Sequence, residues 1–183
     1  MAEKGKAVFR IVIDGSQEAI FRELTDTSRP LPAIFNARMH ASRLAPGGRM
    51  QMRTGSGKRV IVDGDILEYD PPRRFVHTHR FTMMDDPVCR VAYDLKPVTG
   101  GIEVTLTVED LPLGTKTAKS MEPGGTQILA ILKQVVEQGR PPLATRLKYW
   151  LMDAMEFALP ARTKSENWPL EGRKQQPFSE ETR

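Results

Sequence analysis

Asp63-Gly64-Asp65-Ile66-Leu67-Glu68-Tyr69-Asp70-Pro71-Pro72-Arg73-Arg74-Phe75-Val76 holds parts of two strands and the break between them. The stretch 59–69 reads as one long strand, and a glycine inside a strand marks a bulge or a bend. Neither Pro71 nor Pro72 can donate to a ladder, so the chain leaves the sheet there. It returns at Arg74, and the pattern predicts a strand over 74–82. Phe75, His77, His79 and Phe81 recur at every second position and project from one face of that strand. Asp63 and Asp65 flank Gly64, share a face, and are expected to point outward into solvent.

Toward the C-terminus, 88–96 carries Val91, Tyr93 and Leu95 on one face, and 97–101 turns the chain. In 102–108, Ile102, Val104, Leu106 and Val108 alternate with Glu103, Thr105 and Thr107. One face buried and one wet is the signature of an antiparallel sheet. Toward the N-terminus, 49–54 is a short strand between turns at 45–48 and 55–58. The stretch 7–14 is a further strand, rich in branched and aromatic residues. Ser16 follows as an N-cap, opening a helix through Leu24. A breaker-rich loop covers 25–32, and a short helix or turn covers 33–37.

The strongest helical periodicity is Ile128, Ile131, Leu132, Val135 and Val136, spaced i, i+3, i+4, i+7, i+8. Ser120 is the expected cap, and Gly139 with Pro141-Pro142 stops the helix. Gly124-Gly125 then sit near its N-terminus, where an anion is only weakly indicated. A second helix is predicted over 143–159. Leu147, Trp150, Leu151, Ala154 and Ala158 form its apolar stripe, widened by Tyr149, Met152, Met155 and Phe157. Three placements are open for it: docked on its own core, over the mouth of a cavity, or in a homodimer contact. Beyond Pro160 the chain is polar, with isolated Trp168 and Phe178, and partial disorder is expected.

The composition sets outer limits. The chain has 183 residues, 39% apolar and 27% charged. That suits one globular domain with an extension and excludes collagen, a disulfide scaffold or a wholly disordered chain. The 27 basic and 23 acidic residues leave a net charge of +4, scattered rather than focused. Specific nucleic-acid binding normally needs a basic face, so none is expected. The lone Cys89 cannot form an internal disulfide, which fits a reducing, cytoplasmic setting. No apolar run approaches the ~20 residues of a membrane span. The N-terminal residues lack the apolar core of a signal peptide.

The order of strand, helix, antiparallel strands and long helix resembles the helix-grip fold of the START-like (SRPBCC) superfamily. Local sequences resemble, within it, the family related to the activator of the heat-shock-protein-90 ATPase. They are Leu24-Thr25-Asp26, Pro46-Gly47-Gly48-Arg49, the quoted 63–76 stretch, and the pair 91–97 with 100–108. The resemblance covers about residues 7–140. It implies an α+β fold in which a curved antiparallel sheet wraps a long C-terminal helix. The helical extension, 141–183, lies outside it. It also implies an apolar cavity between sheet and helix. Phe75, His77, His79, Phe81, Tyr93, Val104, Leu106, Ile128 and Leu132 are then the candidate lining residues.

His77 and His79 admit three readings: a metal site, polar handles for a ligand, or histidines satisfied within the sheet. A metal needs a third ligand from Asp63, Asp65 or Cys89, and no spacing supplies one. No metal and no cofactor are therefore expected. Tyr93 is equally readable as core or as a ligand contact. No nucleophile elbow, phosphate loop or Cys-His signature is present. The expected function is non-catalytic binding of a small apolar or amphipathic molecule. A protein-interaction module of the co-chaperone type and a cyclase- or aromatase-like enzyme are the alternatives.

Overall fold

The computed structural model describes residues 3–171. Seven strands form one sheet: β1 (Lys4–Ile13), β2 (Arg38–Ala41), β3 (Arg49–Arg53), β4 (Val60–Asp70), β5 (Arg74–Phe81), β6 (Cys89–Val98) and β7 (Gly101–Pro112). Their order is β1-β7-β6-β5-β4-β3-β2, and every pairing is antiparallel. With the helices α1 (Gln17–Thr25), α2 (Lys116–Gln138) and α3 (Leu143–Ala154), this is the α+β helix-grip arrangement.

The alternation in β7 places Ile102, Val104, Leu106 and Val108 in the core, as the period of two requires. Ser16 caps α1 as expected, its hydroxyl accepting from the Ala19 N–H at 3.1 Å. The chain then crosses from one sheet edge to the other. There β2, which the sequence did not reveal, pairs only with β3.

α2 begins a turn earlier than expected. Thr115, not Ser120, is the cap, accepting from the Ala118 N–H at 3.2 Å. The Asp86 carboxylate, far off in sequence, accepts from the Thr117 N–H at 2.7 Å and satisfies a second orphan donor. Gly124 and Gly125 therefore lie within the helix, directly after Pro123, and not at an anion-accepting terminus. Gly139 ends it at φ 75°, donating to the Val135 carbonyl at 2.9 Å.

Gly64 does not sit at the bulge of β4. The register shift falls between Ile66 and Glu68. At Gly64 the two strands approach closely instead. A Cβ there would lie 1.9 Å from the Thr78 carbonyl oxygen, and the Asp65 N–H is taken by the Thr78 hydroxyl at 2.8 Å.

The far side of β3 and β4 is not open to water. Asp63 is buried, paired through Oδ2 with Arg49 Nη2 at 2.6 Å and accepting from Gln51 Nε2 at 2.9 Å. This corrects its expected solvent exposure. Gln51 Nε2 also donates to the Trp168 carbonyl at 2.9 Å. The segment leading to Trp168 crosses the sheet here, bridging Arg59 to Lys164. Trp168, expected in a partly disordered tail, is 7% exposed and donates its indole N–H to the Arg162 carbonyl at 2.7 Å. Phe178 and the end of the tail lie outside the described residues. Among the described residues, no helix is long and apolar enough to cross a membrane.

Candidate functional site

α2 packs chiefly against β1, β7, α1 and the turn 32–34. It thus covers one side of the sheet's inner face and leaves β4, β5 and β6 partly uncovered. A cavity of about 730 Å³ fills the gap. Phe75, His77, His79, Phe81, Tyr93, Leu106 and Ile128 stand in its wall, as expected. Val104 and Leu132 do not. Both are fully buried in the adjoining core, where helix and sheet close on each other. The cavity occupies only the end nearer the start of α2. Gly124 opens onto it, and a Cβ added there would meet nothing within 4 Å, while Gly125 lets the helix close on the ring of Phe9.

The rings of β5 form a continuous row. The Phe75 and His77 centroids lie 5.1 Å apart, His77 and His79 5.9 Å, and His79 and Phe81 4.7 Å. Tyr93, on β6, lies nearly parallel to Phe75 at 6.5 Å. His77 Nδ1 lies 2.8 Å from the Thr78 carbonyl. That oxygen can only accept, so Nδ1 carries the proton and Nε2 presents a lone pair. His79 Nε2 is buried with no hydrogen-bond partner among the described residues. Tyr93 as a whole is buried, and burial pushes the ionisation of its hydroxyl up.

Burial lowers the pKa of His77 to about 4, only partly offset by the Thr78 carbonyl. Burial, and then repulsion from His77, lowers that of His79 to about 3. Both rings are therefore neutral at pH 7. The unfolded chain takes up these protons near pH 6.5. Between that value and the folded pKa values the unfolded state binds more protons, so stability falls as pH drops. At about pH 5 the loss is about 2 kcal/mol for each histidine. Denaturant titrations at about pH 7.5 and about pH 5 should show His79→Phe losing about 2 kcal/mol less than the unaltered chain. Equal losses would contradict a neutral His79 with its Nε2 buried.

The proposed third metal ligands stand elsewhere. Asp63 is committed to Arg49 and Gln51. The Cys89 thiol is directed at the His79 carbonyl at 3.7 Å, and burial pushes its pKa up to about 12. Among the described residues, no three His, Cys, Asp or Glu side chains come together to hold a metal.

Residues 8–137 match the model of the family described as activator of Hsp90 ATPase homolog 1-like protein. The chain belongs to that family. Solved structures share its fold. Protein MLL2253 from Mesorhizobium loti is 19% identical, with a TM-score of 0.61, covering 73% of this chain and 98% of its own. ChR145 from Cytophaga hutchinsonii is 19% identical, with a TM-score of 0.59, covering 76% and 97%. The Aha1 dimer from Colwellia psychrerythraea is 19% identical, with a TM-score of 0.58, covering 73% and 96%. No curated protein matches the chain.

The activator-like family match ends before α3, yet α3 and the turn after it form part of the cavity wall through Lys148, Leu151, Met152, Asp153, Met155 and Leu159. Their contribution was one of three placements left open by the sequence. The wall also gains Ile34 and Phe35, from the turn before β2. Met52, Met83, Met84, Met121, Met152 and Met155 all line the space. Six of the chain's nine methionines are thus gathered at one site, giving it an adaptable wall.

Proposed function

We propose that this member of the activator-like family binds a small apolar or amphipathic molecule, without covalent chemistry, in the cavity between sheet and α2. The observation that carries the reading is the lone His79 Nε2 within a largely apolar cavity of about 730 Å³. That volume lies within the ~300–1,000 Å³ of small-molecule sites, which are typically apolar with a few placed polar groups. Phe75, Phe81, Leu106 and Ile128 hold the apolar body. His77, His79 and Tyr93 offer hydrogen bonds to a hydroxyl or carbonyl. Neutral histidines favour a neutral group at this inner end, because an unpaired charge there is strongly penalised. Residues 7–140 form the binding domain, and the extension from 141 covers its mouth. The buried, unpaired thiol of Cys89 is in keeping with a cytoplasmic site of action.

Native mass spectrometry beside the denatured mass tests this reading. A reproducible extra mass, lost on denaturation, supports it. A bare mass, together with no rise in melting temperature across lipid and aromatic panels, overturns it. Gly124→Leu sharpens the test by filling the space. It should remove the extra mass while stabilising the helix by up to about 1 kcal/mol. Family membership favours a second reading, a protein-interaction module of the Hsp90 ATPase activator type. Gly124→Leu should leave such an activity intact.

A further inference from the structure

α3 is turned opposite to the usual sense. Leu143, Leu147 and Trp150 are 77%, 64% and 67% exposed, and Phe157, beyond its end, is 79% exposed. Ala154 is exposed as well. The domain side instead takes Tyr149, whose hydroxyl donates to the Pro32 carbonyl at 2.8 Å. Leu151, Met152 and Met155 are exposed too but stand in the cavity wall, and of the exposed positions outside that wall, 143, 147, 150, 154 and 157 alternate steps of four and three. That is the spacing of a seam between two paired helices. Docking on the chain's own core leaves this stripe uncovered.

We propose that α3 is the seam of a symmetric, antiparallel dimer of this chain. Arg146 and Asp153 choose the occupant. Both are exposed, both lie on the edge of the stripe nearer the domain, where Asp153 also stands in the cavity wall beside Gly55, and neither has an ion pair among the described residues. A two-fold interface is self-complementary. An antiparallel pairing sets Leu147 against Trp150 of the second copy, on both sides of the axis. It also brings Arg146 beside Asp153 of the second copy, twice. A parallel pairing leaves both charges unmatched. An anionic bilayer would meet Asp153 on the same edge as Arg146, which disfavours a lipid surface. α3 has 12 residues, about 18 Å of helix, so the interface is small and dissociates on dilution. The proposal stands on α3 and does not depend on the cavity's ligand.

Sedimentation of the full chain across micromolar to submillimolar concentrations is the test. Twice the chain mass is expected at the upper end. Trp150→Glu should be monomeric there with an unchanged circular dichroism spectrum. Arg146→Asp should weaken association about tenfold, through two lost pairs and two new repulsions. The double exchange Arg146→Asp with Asp153→Arg should restore it. A monomer at every concentration overturns the proposal, as does a dimer indifferent to Trp150→Glu or a double exchange that restores nothing. Flotation of a monomeric chain with phosphatidylserine vesicles, abolished by Trp150→Glu, would assign the stripe to lipid and overturn it too.

Discussion

Asp63→Ala should lower the melting temperature by roughly 6–20 °C, one of the two largest effects expected from single substitutions in this chain. Asp63 and Arg49 meet at 2.6 Å with side chains 8% and 10% exposed. Removing the carboxylate leaves a guanidinium with little water to replace it, and strips Gln51 of an acceptor. Breaking one side of a buried pair costs about 3–5 kcal/mol, because the remaining charge is uncompensated. The pair itself is worth far less. Replacing both partners by apolar residues of similar size, as in Arg49→Met with Asp63→Leu, should recover much of the loss. Denaturant unfolding of the two variants separates these effects. A single variant within about 1 kcal/mol of the parent would show that the network is solvated after all.

The second large effect is expected at Gly64. A methyl group there would sit 1.9 Å from the Thr78 carbonyl oxygen and 2.9 Å from its carbon. Both are backbone atoms of β5, so no side-chain rotation relieves the overlap. β4 and β5 join the two halves of the sheet, and parting them strains both halves. Gly64→Ala should cost at least about 3 kcal/mol, the upper range for overpacking, and should lower the yield of folded protein. Gly124→Ala is the matched control: the same added methyl meets nothing within 4 Å and sits in a helix, where it should stabilise. Equal melting temperatures for the two variants would show that the β4–β5 approach is looser than described.

The parts of this fold that were legible in the sequence are those where one period governs many residues. The β5 row of Phe75, His77, His79 and Phe81 follows from alternation alone, and so does the buried face of β7. The errors share a different cause, in that distant residues decided them. Ser120 and Thr115 are equally good caps in isolation, and Asp86, across a loop, helps settle the start of α2. Asp63 reads as a surface carboxylate until Arg49, Gln51 and the segment ending at Trp168 fold over it. Periodicity placed Val104 and Leu132 on inward faces, where they are. It carries no information on where along those faces the sheet and helix part. The α3 stripe is the sharpest case. Its spacing is legible, but its direction is not, because a helix that buries Tyr149 and one that buries Trp150 have the same repeat.

The two tryptophans divide the protein's intrinsic fluorescence between two questions. Trp168 is 7% exposed, with the Arg80 guanidinium 5.8 Å from its ring. Trp150 is 67% exposed on α3. Blue-shifted emission sheltered from acrylamide reports whether the segment leading to Trp168 is clamped to the back of the sheet. Red-shifted, quencher-accessible emission reports what touches α3. Single-tryptophan forms of the chain thus read folding and contact as separate colours.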